Sequence, residues 1–93
     1  MPRQDALTDQ MFDVMSVLSS DEDSGFDGRR IAAWLLRTFF KSTVLITASF
    51  YTSNKMPLTS AEFHYARHIS TNLGCYDAGD WLRRQAEQLQ AVI

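Results

Sequence analysis

His64 and His68 stand four residues apart. At that spacing on a helix two imidazoles share a face and can hold a divalent metal together. A third ligand would have to come from Cys75, Asp77, Asp80 or Glu62. Tyr65 follows His64, so the His-Glu-x-x-His pattern of zinc hydrolases is absent. The alternative is two boundary histidines beside an apolar stripe, and no metal or other cofactor is expected. Cys75, the sole cysteine, lies between a helix stop at Gly74 and a helix start at Asp77. A helix N-terminus can lower a thiol pKa, but Asp77 and Asp80 oppose this locally. No nucleophile elbow, phosphate-binding loop or Ser–His–Asp spacing occurs in the sequence. An enzyme is therefore not expected.

The helices that would position these groups follow from periodicity and punctuation. An all-α fold is expected, a small bundle of about four helices in a single domain over residues 1–93, with an acidic N-terminal helix and loop (1–27) and a core (28–93). Leu7, Met11, Val14, Met15 and Leu18 recur at helical spacing, giving a first helix from Ala6 to about Ser19 with Asp5 as N-cap. The acidic stretch from Ser19 to Gly25 reads as a loop, and Asp27 as the next N-cap. The second helix, near Gly28 to Ser53, is apolar on nearly every side apart from a strip of Arg37 and Lys41. A helix of that kind is usually buried. Its 26 residues would span roughly 39 Å, so it either breaks near Ser42-Thr43 or projects into a dimer partner. The β-branched run from Thr43 to Thr47 admits a strand as an alternative.

Thr59-Ser-Ala-Glu62 is a capping box, with Leu58 and Phe63 placed as a hydrophobic staple. The helix it opens runs through Ala66 and Ile69 to Leu73, where Gly74 stops it. Asp77 then reads as N-cap of a fourth helix, with Tyr76 and Trp81 as staple. Leu82, Gln85-Ala86, Leu89 and Val92-Ile93 trace its buried side. The short connection makes the last two helices antiparallel neighbours or a steeper helix-turn-helix pair.

That pair raises DNA binding. Its second helix would open on Asp77-Ala-Gly-Asp80, which repels phosphates, although Arg83, Arg84, Arg29 and Arg30 could reach a backbone. Charge is unevenly divided: residues 1–27 carry −6 and residues 28–93 carry +4. The acidic segment either lies solvated beside its own basic body or docks on a partner. A lone cysteine suits a reducing cytoplasm. The polar N-terminus is not a signal peptide, and the cations Arg37 and Lys41 argue against a membrane span in the most apolar window, Trp34 to Tyr51.

With no catalytic constellation, function is expected to rest on binding another protein. The first-helix stripe either packs on its own core or docks in a partner's groove; in the second case Leu7, Met11, Phe12, Met15 and Leu18 are the binding face. Phe39, Phe40, Phe50 and Tyr51 would serve a homodimer or the partner. In size, helical content and lack of catalytic groups the chain resembles the small bacterial anti-activators of LuxR-type quorum-sensing regulators. That resemblance implies a dimer that binds the ligand-binding domain of a transcription regulator and prevents the regulator's dimerisation.

Overall fold

The computed structural model describes residues 2–40 and 56–92, with side chains over 6–40 and 56–88. Four α-helices make up the described fold: α1 (Pro2–Ser20), α2 (Gly28–Phe39), α3 (Ser60–Asn72) and α4 (Tyr76–Val92). No strand occurs among the described residues. The chain is an all-α bundle, as its periodicity predicts.

Helix α1 begins at Pro2, ahead of the expected Asp5 cap. Proline suits a first helical position because its fixed φ is already helical and its missing N–H would have had no partner there. At the other end the Ser20 hydroxyl donates to the carbonyls of Ser16 and Val17, at 3.0 and 3.2 Å. The acidic loop then turns on its own side chains. Asp21 accepts from the Asp23 N–H at 3.1 Å, Ser24 accepts from Phe26 N–H at 3.1 Å, and Gly25 takes φ +86°. Such side-chain-to-backbone turns explain why Asp and Ser are concentrated here. Asp27 caps α2 as expected, accepting the Arg30 N–H at 3.1 Å.

The bundle is organised around α1, which packs on each of the other three helices. Met11, Val14, Met15 and Leu18 from its stripe are buried with Ile31, Trp34, Leu35, Leu58, Phe63, Ala66, Ala78 and Leu82. The central place expected for the second helix therefore belongs to the acidic first one. Among the described residues α2 is short. Its twelve residues end at Phe39, and the Phe40 N–H closes the last turn on Leu36 at 2.9 Å. Residues 31–35 are buried without a break, as an apolar helix requires. The expected continuation to Ser53, the break near Ser42-Thr43 and the alternative strand at 43–47 lie outside the described residues.

The capping box of α3 is complete: Thr59 accepts from Glu62 N–H at 3.1 Å and Glu62 from Thr59 N–H at 2.9 Å. Leu58 and Phe63 are both buried in the same cluster. Gly74 ends α3 at φ +73°. The Cys75 N–H returns to Ser70 O at 2.8 Å and the Gly74 N–H to Thr71 O at 3.0 Å, a Schellman motif. This reversal lets α4 start at Tyr76, one residue before the expected cap. Asp77 thus sits in the first turn, and Tyr76, 70% exposed, makes no staple with Trp81. The capping is done from another helix: Gln10 of α1 accepts the Ala78 N–H through Oε1 at 3.0 Å. Its Nε2 donates to Asp77 Oδ2 at 3.4 Å.

Candidate protein-binding groove

Helices α1 and α2 form an antiparallel hairpin. At the loop end, Gly28 lies so close to the Leu18 carbonyl that a Cβ there would stand 1.9 Å from its oxygen. At the far end the rings of Phe12 and Phe40 stack at 4.9 Å. Between these ends the outer side of the hairpin is an open groove of about 520 Å³. One wall is Phe12, Met15, Ser16 and Ser19 of α1; the other is Arg29, Ala32, Ala33 and Leu36 of α2. The α2 set falls at i, i+3, i+4 and i+7, one face of a helix. Its two alanines leave room for a foreign side chain. Phe12 stands at the edge, 51% exposed.

The structure divides the expected partner face. Met11 and Leu18 are fully buried in the chain's own core, and Met15, buried there too, shows only its edge in the groove wall. Burying them removes their side chains from water, at about 1.5–3 kcal/mol each, and this outweighs any role as an exposed stripe. Leu7 is half-buried against the same cluster. Phe12 alone of the five stays outside. Phe39 and Phe40 are half-buried in an aromatic row that runs from Phe12 through Phe40 and Phe39 to Trp81, with the last two contacts edge-on at 4.7 and 5.2 Å. Phe50 and Tyr51 lie outside the described residues.

The other candidate sites come apart. His64 and His68 are both exposed on α3 and border a shallow cleft with Phe26 and Tyr65. The third ligands considered for them are engaged elsewhere. Glu62 holds Thr59 and Arg30, Asp77 meets Gln10, and Asp80 holds Arg83 at 2.8 Å and Arg84 at 3.2 Å. Among the described residues no three His, Cys, Asp or Glu side chains gather where a metal could sit. Cys75 is buried, and burial, followed by the charge of Asp13, pushes its thiol above the ordinary 9.0. That is the opposite of an activated nucleophile.

For DNA, the start of α4 is acidic as read from sequence, and its two arginines are committed. Arg83 bonds Asp80 and Glu87, both at 2.8 Å, which holds Asp80 below the usual carboxylate range. Arg30 is turned inward. Its guanidinium donates to Met56 O at 3.3 Å, Pro57 O at 3.1 Å and Glu62 Oε1 at 3.3 Å, tying the approach to α3 onto α2.

Sequence reasoning missed Gln10, Arg30 and the groove. The groove had a signal in Ala32-Ala33, two small residues midway along an otherwise bulky helix. No family model, curated protein or solved structure matches the chain. No helix among the described residues is long and apolar enough to cross a membrane.

Proposed function

We propose that this chain is a cytoplasmic regulatory protein that acts by stoichiometric binding to another protein, without chemistry or cofactor of its own. The observation that carries it is the open α1–α2 groove, with Ala32 and Ala33 on one side and the exposed ring of Phe12 at its rim. Helix-in-groove recognition needs such a surface: an apolar trough between two packed helices into which a partner lays its own stripe. Aromatic side chains such as Phe12 are enriched at protein–protein interfaces over the rest of the surface. The mechanism is steric, since a helix held in the groove is unavailable to its own protein. Blocking the dimerisation of a transcription regulator, as in the anti-activators the chain resembles, is one form this would take.

Co-purification from the native host, with mass spectrometry and light scattering of the recovered complex, tests the proposal. Phe12→Asp and Ser16→Arg, both at exposed positions of the groove, should each abolish recovery of the partner at defined stoichiometry while leaving the helical circular dichroism intact. Recovery of the same partner by both variants would sink the groove as its site. A chain that retains no partner at all would count against stoichiometric binding itself.

A further inference from the structure

The groove is apolar within and acidic along its α1 and loop edges. Asp9 and Asp13 precede the wall residues Phe12 and Ser16 by three positions, so each stands within one turn of the wall. Both are exposed. The loop that joins Ser19 to Arg29 closes one end of the groove and carries Asp21, Glu22 and Asp23. The cations at the border belong to α2: exposed Arg29, and half-buried Arg37 one turn beyond Ala33.

Elsewhere the chain pairs its acids. Glu62 holds Arg30, Asp80 holds Arg83 and Arg84, and Glu87 holds Arg83. Among the described residues Asp9, Asp13, Glu22 and Asp23 form no salt bridge. Unpaired acid therefore lies beside the apolar trough.

We propose that the occupant of the groove is an amphipathic helix of a foreign protein with a basic edge. Its apolar stripe lies over Ala32 and Ala33, and Lys or Arg along one flank meets the acids of α1 and the loop. The two walls each cover about two turns, roughly 10 Å, so the stripe is read at i, i+3, i+4 and i+7. The inference rests on reading the groove as a protein-binding surface and adds the chemistry of the partner. Charge complementarity selects this occupant, because like charges across an interface exclude the wrong one. A second copy brings the same excess of acid to the groove. An anionic membrane surface or a phosphate backbone is repelled for the same reason.

Three labelled peptides of about 18 residues, some five helical turns, are the probes. They share one leucine stripe at i, i+3, i+4 and i+7 and carry Lys, Gln or Glu on their flanks. Fluorescence anisotropy with the purified full chain at about 50 mM salt should rank them Lys, Gln, Glu, with about tenfold or more between first and last. The gap should close near about 500 mM, where screening shortens the reach of charge. Asp9→Lys combined with Glu22→Lys should erase or invert the ranking. Phe12→Ser, which changes no charge, should weaken all three peptides alike. Glu87→Gln removes an acid on α4, outside the groove walls, and should leave the ranking as it is.

Equal binding of the Lys and Glu peptides overturns the inference. So does a preference that Glu87→Gln lowers as much as the Asp9 and Glu22 reversals do, since the attraction is then to net charge and not to the groove. Binding of none of the three also overturns it and leaves the groove to residues 41–55 of the same chain or to a second copy, which light scattering separates by mass. A host partner lost with Phe12→Asp but kept by the double reversal overturns the basic edge and leaves the proposed function standing. A groove-dependent Lys preference, in a chain whose host partner ignores every groove variant, supports the inference and removes the groove as that partner's site.

Discussion

Gly28→Ala tests whether the α1–α2 crossing sets the geometry of the bundle. Alanine is the better helix former, so an unobstructed glycine-to-alanine change in a helix gains about 0.5–1 kcal/mol. Here the new Cβ would stand 1.9 Å from the Leu18 carbonyl oxygen and 2.9 Å from its carbon. A carbon and a carbonyl oxygen touch at about 3.3 Å, so the helices must part by about 1.4 Å at this point. Both obstructing atoms are backbone, so no rotamer relieves them. Parting the helices loosens Leu18 and Ile31, both fully buried beside the crossing. Overpacking of this kind costs about 1–3 kcal/mol and outweighs the propensity gain. A net loss of about 1–2 kcal/mol lowers the melting temperature of a domain this size by roughly 4–16 °C. Urea unfolding followed by the fluorescence of Trp34 and Trp81, with thermal melts by circular dichroism, measures it. A variant as stable as the parent, or more so, would refute a close backbone crossing at Gly28.

Arg30→Ala removes three hydrogen bonds, one of them to the shielded Glu62 carboxylate; a loss of about 1.5–3 kcal/mol is expected by urea unfolding, with Arg30→Lys intermediate. Gln10→Ala leaves the N–H of fully buried Ala78 without its cap and should cost about 0.5–2 kcal/mol, read as lost protection of the first turn of α4 in hydrogen exchange. Among the described residues the buried Tyr65 hydroxyl meets no hydrogen-bond partner, while its ring stacks on Phe26 at 4.7 Å. Tyr65→Phe should therefore be neutral or stabilising by up to about 1 kcal/mol, and a clear loss of stability would mean that the hydroxyl has a partner. The thiol of Cys75 is raised in the folded state, so folding is favoured fully below the unfolded value near 9.0 and less as pH climbs past it. The parent should lose stability relative to Cys75→Ala between pH 8 and pH 10 (about the span of the titration), and equal slopes for the two proteins would contradict this.

What the sequence reveals here divides by range of interaction. The capping box at Thr59–Glu62, the cap at Asp27 and the stop at Gly74 involve neighbours within a few residues, and all are legible and present. The α4 start was misplaced because its cap, Gln10, comes from 68 residues away. The same distance hides Arg30, whose bonds to Met56 and Pro57 span 26 and 27 residues. Gly28 reads locally as the first residue after a cap, and its closeness to Leu18 emerges only once the hairpin closes. The candidate surface followed the same pattern. Helical spacing identified the α1 stripe but could not say whether the core or a partner would cover it; packing assigned Met11, Met15 and Leu18 to the core and left Phe12 outside.

That assignment bears on how a partner could be bound. An acidic helix on a polar loop invites a mechanism in which it swings out to dock. The core opposes this. Met11, Val14, Met15 and Leu18 are buried, and withdrawing four such side chains would cost upwards of about 6 kcal/mol at roughly 1.5 kcal/mol or more each. Domains of this kind hold only about 5–15 kcal/mol in all. Release would also strip the Gln10 cap from α4 and the Gly28 crossing from α2. Detaching α1 is therefore close to unfolding the protein. The helix acts as a fixed wall. It shapes the groove with Phe12 and Ser16 on its outer side while its inner side holds the bundle together, so a partner must come to the hairpin as it stands.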